Sequence, residues 1–533
     1  MRSQVLTPMT NPDSIRCAPA HGGELNGEAG GIRDSDRLWD AVVRATAELG
    51  PDATALRIPL LISFQSPDSS LRRDLRNLLE GAKQFLTLAQ AKRSNEPNGG
   101  MLFCFAHTTP ANVGNLLPVA REALRRGLLG GIVTGADSLA QLSEFEGAVP
   151  IVSARQLLGQ LGLRDRAKNA LRVADVFRKV SESVDRHAPT LSSRLAANRG
   201  MLIREIVRSV QFGLVFAHLL DRWSPSSVVS TADFWPFEHQ LFCQAARRKI
   251  PSIVIQHGTM GCFWWPFVAD LYCVWGSNDV KQMQRFGAPA ERITMAGMPA
   301  SDELFRRMPK TQNNRLGTQS RPVCLILSHT HGKFEVPEAY QQFKQILPQV
   351  IRSTPSFDWR VKLHPVEDDS FYRGLDKLIF ERLKFYPKET SLEEAVNDAD
   401  VVTTIYSTAG LQAMIMDRPL IVAPATPQVQ EVAWWPTMGG GTYASSTGEF
   451  LEQLTQLVSS QDYRLQRLDQ QRRFLTNSFA NPGHAAERIV DLLEALSGHS
   501  AASQAQSQPS SPIEAEISPV MVMSRELDEN HTA

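Results

Sequence analysis

Residues 398–424 read DADVVTTIYSTAGLQAMIMDRPLIVAP. Asp398 and Asp400 precede a short apolar run, residues 401–405, which fits a buried strand. Tyr406, Ser407, Thr408, Ala409 and Gly410 form a turn of hydroxyls and small residues. Leu411, Met414 and Ile415 recur at helical spacing, Arg418-Pro419 breaks the helix, and Leu420-Ile421-Val422 is a second strand run. The stretch predicts a strand–helix–strand unit, the building block of parallel sheets. Free N–H groups and the helix dipole meet at the 407–410 turn, so a phosphate is the ligand chemistry expected there.

The same alternation runs through most of the chain. Strand runs are expected at 101–105, 131–134, 227–230, 252–256, 270–276, 292–297, 322–328 and 359–365, with helical patterns between them. A polar stretch at 306–320 divides the series. The predicted fold class is α/β, with two Rossmann-like domains facing a cleft, a helical N-terminal extension and disordered tails. The expected divisions are a tail at 1–35, the extension at 36–99, a first α/β half at 100–305 with a helical insertion at 164–222, and a linker at 306–320. A second half at 321–478, a closing helix at 479–498, expected to be N-capped and amphipathic, and a tail at 499–533 complete it. At 533 residues the chain exceeds one ordinary core.

Composition narrows the function classes. The chain has 56 basic and 56 acidic residues, which argues against a bulk nucleic-acid binder. No apolar run is long enough to span a membrane, and no signal peptide pattern opens the chain. The six cysteines form no C-x-x-C pair and most lie in apolar runs, so reduced, buried thiols and a cytoplasmic location are expected. Residues 164–208 hold eleven Lys/Arg against five Asp/Glu. That surplus reads either as a solvated helix face or as a surface for anionic lipid or a phosphorylated acceptor.

Candidate chemistry clusters just after the strand runs, where open α/β sheets bind ligands. In the second half these are Ser328-His329-Thr330-His331-Gly332-Lys333, Lys362-Leu363-His364-Pro365 and the 406–410 turn. They supply the hydroxyl, imidazole and cationic donors a phosphate needs. In the first half, His107, Asp233, Glu238, His239 and the Gln256-His257-Gly258 turn supply candidate bases. Each has a plainer reading. His364 can satisfy local carbonyls, Ser407 and Thr408 can cap a helix, and His257 can pack on Trp264 and Trp265. Asp233 can cap the following helix, and Glu238 can sit on the surface. The stretch 263–267, Phe-Trp-Trp-Pro-Phe, reads equally as an acceptor or membrane-facing loop and as a buried turn. His329 and His331 lack a third ligand at zinc spacing.

The motifs IPSIVIQHG (250–258), VWGSNDVKQMQRFG (274–287), ITMAGMPASDELF (293–305), KLHP (362–365) and DADVVTTIYSTAGLQAM (398–414) with RPLIVAP (418–424) occur in that order. In this the chain resembles GT-B glycosyltransferases of the bacterial capsule and surface-polysaccharide type. CDP-glycerol glycerophosphotransferases and polysialyltransferase-like enzymes belong to that group, and UDP-N-acetylglucosamine 2-epimerases share the fold. The resemblance implies a transferase of polysaccharide biosynthesis in the cell envelope. It would move a group from a nucleotide sugar, or a CDP- or CMP-linked donor, to a glycan or lipid-linked acceptor. The first half would be the acceptor domain, with His107, Asp233 and His257 as catalytic candidates. The second would be the donor domain, with His329, Thr330, Lys362, His364, Ser407, Thr408 and Gln412 as binding candidates. Gln412 stands where many GT-B enzymes have a glutamate on the ribose, so the charge-assisted part of that contact is lost. No cofactor is implied, the chemistry is expected to be metal-independent, and contact with the inner membrane face is the one membrane role left open. The alternatives are an epimerase-like isomerase and a non-catalytic protein that binds nucleotide or glycan.

Overall fold

The computed structural model describes residues 41–60, 99–135, 140–260, 264–308, 321–328 and 337–506, apart from 48, 50, 58, 108 and 366. The expected tail at 1–35, most of the extension, most of the linker, His329 and Thr330, and the chain beyond 506 lie outside the described residues.

Two parallel sheets carry the fold. The first orders its seven strands β3-β2-β1-β4-β5-β6-β7. They are β1 Met101–Phe105, β2 Leu129–Thr134, β3 Ile151–Ser153, β4 Ser227–Ser230, β5 Ser252–Ile255, β6 Leu271–Val274 and β7 Ile293–Met295. The second orders its six strands β10-β9-β8-β11-β12-β13. They are β8 Val323–Leu327, β9 Asp358–Lys362, β10 Leu383–Phe385, β11 Val401–Thr404, β12 Leu420–Val422 and β13 Thr442–Tyr443. Central strands such as β1, β8 and β11 are buried throughout, because helices cover both faces of the sheets. This is the α/β architecture of two Rossmann-like parallel sheets that the alternation predicts.

Sequence patterns did not single out β3, β10 and β13. All three are sheet edges of three residues or fewer. The strand order matters more for function. In the first sheet β1 lies between β2 and β4, and in the second β8 lies between β9 and β11. The winding reverses there, so a crevice opens beyond the carboxyl ends of β1 and β4, and another beyond β8 and β11.

Among the helices of the described residues, seven bear on the site and on the contacts between halves. α1 (Pro110–Arg125) follows β1, and α2 (Leu163–His187) and α3 (Arg199–Trp223) lead into β4. α4 (Pro236–Arg247) follows β4, and α5 (Ala409–Ile415) is the helix of the 398–424 unit. α6 is Gln461–Ser478 and α7 is Ala485–Gln506. The stretch expected as an insertion thus ends in the crossover helix α3, whose face is largely buried. Along α2 Arg178 pairs with Asp175 and Glu182, and Lys179 with Asp175, which leaves the basic surplus of the stretch unchanged. No described helix is long and apolar enough to cross a membrane.

The chain crosses between halves twice. α6 belongs to the second, where Gln471 bonds the backbone of Leu420 and Arg418. The segment after α6 then meets the end of β6, with Ala480 N–H donating to the Trp275 carbonyl at 2.9 Å. Approach is so close that a Cβ on Gly276 would lie 1.7 Å from the Ser478 carbonyl oxygen, which explains the glycine. α7 returns to the first half and packs on α1, where Arg126 pairs with Asp491 and Glu494. Its N-cap was expected from nearby residues. Instead the Asp302 carboxylate accepts the Ala485 and Ala486 N–H groups, at 2.9 and 2.8 Å. At the mouth between halves, Asn278 Nδ2 lies 2.6 Å from Met438 Sδ.

Candidate functional site

The first-half crevice holds a histidine–carboxylate pair. His107 stands two residues past β1, and Glu238 lies in the first turn of α4, just past β4. Because β1 and β4 are neighbours, the two side chains meet, with His107 Nε2 2.9 Å from Glu238 Oε1. Glu238 is fully buried while His107 keeps 31% of its side-chain surface. The surface reading of Glu238 is therefore overturned, since the turn points it inward beneath His107. His107 Nε2 itself is buried against Glu238. Burial pulls the His107 pKa down, but the Glu238 charge and contact outweigh it, and the net shift is upward from 6.5. Trp235 packs edge-on against His107, ring centroids 5.6 Å apart.

His257 shares this crevice from the end of β5. Its Nδ1 is 2.7 Å from the Thr231 carbonyl oxygen, which can only accept, so Nδ1 carries the proton and Nε2 is a free-electron-pair nitrogen. Its ring also packs on Trp264 at 4.9 Å, so packing and a site role coexist. Burial first, and then His107, push the His257 pKa down to about 4 against the Thr231 contact. Its NMR ring signals are therefore expected to stay flat between about pH 5.5 and 8, while those of His107 titrate. A His257 midpoint in that window would contradict this assignment.

Asp233 bonds backbone through one carboxylate oxygen. Its Oδ2 accepts the Val268 and Ala269 N–H groups at 2.5 and 3.1 Å, and the residue is 1% exposed. It anchors the loop before β6. It does not cap α4, whose N-cap is Trp235 with no side-chain bond. Burial, against those two bonds, raises its pKa to about 6. The described part of the aromatic loop is a buried turn, since Trp264 and Phe267 lie in the core. Trp265 and Pro266 between them are half-exposed, and Phe263 lies outside the described residues. Gln256 is a scaffold residue: its amide bonds Asp279 and accepts from Trp275 N–H, tying β5 to β6.

In the second half, His364 follows β9, and Ser407 and Thr408 follow β11, beside the β8 end. Thr404 Oγ1 donates to the Leu327 carbonyl at 2.9 Å and accepts Ser407 N–H at 3.2 Å, which locks the turn to β8. Ser407 Oγ accepts Ala409 N–H at 3.3 Å, a local cap bond. Thr408 and Gln412 are half-exposed on the same turn and helix. Lys362 turns elsewhere, to the Pro387 and Lys388 carbonyls at 3.4 and 3.2 Å. His364 is half-buried, and burial lowers its pKa.

Sequence reading missed Glu367. This buried carboxylate accepts from Ser328 Oγ and, at 3.4 Å, from His364 N–H, so it ties the β8 and β9 ends together. Burial, against those contacts, raises its pKa to about 7. The available signal was an acid three residues past a His-Pro turn. Among the described residues no group of three or more His, Cys, Asp or Glu is arranged to hold a metal ion. Cys104, Cys243, Cys273 and Cys324 are buried free thiols.

A scan against family models and a search of curated proteins give no match. Similar solved structures include UDP-GlcNAc 2-epimerase from Neisseria meningitidis bound to UDP-GlcNAc. It is 13% identical with a TM-score of 0.48, over 74% of this chain and 100% of that one. The S. aureus MnaA–UDP co-structure is 12% identical with a TM-score of 0.47, over 75% of this chain and 96% of that one. The calicheamicin glycosyltransferase CalG4 is 15% identical with a TM-score of 0.41, over 75% and 99%. The fold assignment rests on the strand orders above and not on these likenesses.

Proposed function

We propose that the protein is a nucleotide-sugar-dependent glycosyltransferase, or glycosyl-like transferase, acting on a surface-polysaccharide or lipid-linked acceptor. The observation that carries this reading is the His107–Glu238 pair in the first-half crevice. A half-exposed imidazole backed by a buried carboxylate is suited to take a proton from an acceptor hydroxyl. Glu238 holds the ring and favours the imidazolium that forms, while His257 Nε2 offers a second acceptor for that hydroxyl. On the donor side, His364, Ser407 and Thr408 would bind the phosphates and Gln412 the ribose. Their donors would stabilise the charge on the departing phosphate. No step in this scheme calls for a metal or a cofactor.

Thermal shift against UDP-, CDP-, CMP- and GDP-linked donors is the direct test. A bound nucleotide at 100 times its dissociation constant adds about 2.7 kcal/mol of stability. His364→Ala is expected to abolish that shift, and Gln412→Glu to change it. No shift with any donor would replace the transferase with a non-catalytic glycan-binding reading. NMR of the sugar after incubation with UDP-N-acetylglucosamine alone separates the isomerase. Product formed without acceptor would establish epimerisation instead.

A further inference from the structure

The N-terminal helical segment reaches the site. Leu56 and Leu60 share an apolar cluster with Val180 of α2 and Ile206 of α3, and Phe234 and Trp235 abut that cluster. From the short helix Pro51–Thr54, Thr54 Oγ1 comes within 2.8 Å of His239 Nε2. The other ring nitrogen, Nδ1, is 2.8 Å from the Asp233 carbonyl oxygen. That oxygen only accepts, so Nδ1 carries the proton and Nε2 accepts the Thr54 hydroxyl. Burial, and then the Arg57 charge, push the His239 pKa down to about 3, so the ring stays neutral.

His239 is the residue after Glu238, and Asp233, Phe234 and Trp235 precede them in the same turn. This turn presents both groups that touch His107, the Glu238 carboxylate and the Trp235 ring. The His239 ring thus ties the turn to itself on one side and to the N-terminal segment on the other. We propose that the helical segment carrying Thr54 positions the His107–Glu238 pair through the Thr54–His239 hydrogen bond, making Thr54 a positioning residue of the site. Without the hydroxyl, a buried ring nitrogen loses its donor, and the turn must shift to find another. A shift of Glu238 by a fraction of an ångström lengthens the 2.9 Å contact that holds the His107 pKa up.

Only the description of the pair as catalytic rests on the proposed function; its geometry does not. The test therefore uses the full chain without substrate and follows the His107 ring by NMR titration. His257 faces the same ring and stays neutral through this range. Thr54→Val, which keeps the shape and removes the hydroxyl, is expected to move the His107 midpoint down towards 6.5. Glu238→Gln sets the full size of that shift. Thr54→Ser should restore the wild-type midpoint, and Thr54→Cys, a weak donor, should fall between. A lowered melting temperature with an unmoved His107 midpoint in Thr54→Val would overturn the proposal. If Thr54→Val does not fold, a wild-type midpoint in Thr54→Cys overturns it equally. Failure of every nucleotide to bind would remove the transferase reading and leave this result standing.

Discussion

Replacing His107 with alanine is expected to lower turnover by about 10²–10⁴-fold with donor affinity unchanged, the usual loss when a positioned base is removed. The ring is the half-exposed ionisable group in the first-half crevice with a buried carboxylate behind it. Donor contacts in this reading come from the other half, so a kcat effect without a donor Kd effect separates base from binder. Glu238→Gln sharpens the test through pH. A histidine base works when deprotonated, so activity rises with pH through its pKa. Glu238 holds that pKa above 6.5, and its loss should move the acid limb of kcat/KM to lower pH. The stabilisation from the pair runs the other way: it is full below 6.5 and is lost as pH rises through the raised folded value. His107→Ala also strands a buried carboxylate, so its melting temperature should be measured beside its turnover. Turnover within about threefold of wild type, against the about 10²-fold minimum for a base, would remove His107 from the chemistry.

Arg472→Met is expected to destabilise the second half by about 3 kcal/mol, the lower end for breaking a buried ion pair. Arg472 grips Asp417 with two parallel bonds, Nε to Oδ1 at 3.0 Å and Nη2 to Oδ2 at 2.6 Å. Asp417 is 3% exposed and sits at φ +62°, at the turn between α5 and β12. The substitution leaves its carboxylate buried without a partner. The lower end applies because the Arg472 side chain keeps 17% of its surface, which admits some solvent. Denaturant unfolding followed by tryptophan fluorescence reads the effect, since Trp359 and Trp435 are buried in this half. The neighbouring Arg473 pairs with Asp469 on the exposed face of α6, so Arg473→Met should cost less than about 1 kcal/mol. Equal losses for the two variants would show that burial does not set the value of the Asp417 pair.

Much of the fold was legible because parallel strands covered on both faces are continuous apolar runs. The 398–424 stretch shows this: β11, α5 and β12 fall where its pattern placed them. The edge strands β3, β10 and β13 escaped, although β7, also an edge of three residues, was anticipated at 292–297. Motif residues were also legible as a set, since ligands bind where strands end. What each does was less so. Asp233 and Lys362 follow or end strands like the others, yet their side chains bond backbone groups elsewhere. Glu238 gave no sign of burial, because one acid in a first helical turn is as common on a surface as beneath a histidine.

The sequence by itself determined the alternation of strand and helix, the division into two halves, and the places where chemistry can stand. These follow from local hydrophobic period and turn residues, and neighbouring side chains suffice to specify them. Only the tertiary structure decided which strand ends are neighbours. It set β1 beside β4 and so gave His107 its carboxylate. It brought Asp302 to the start of α7 across 183 residues, and Thr54 to His239 across 185. Such contacts depend on strand order and on helices returning over a sheet, and a local pattern holds no record of either.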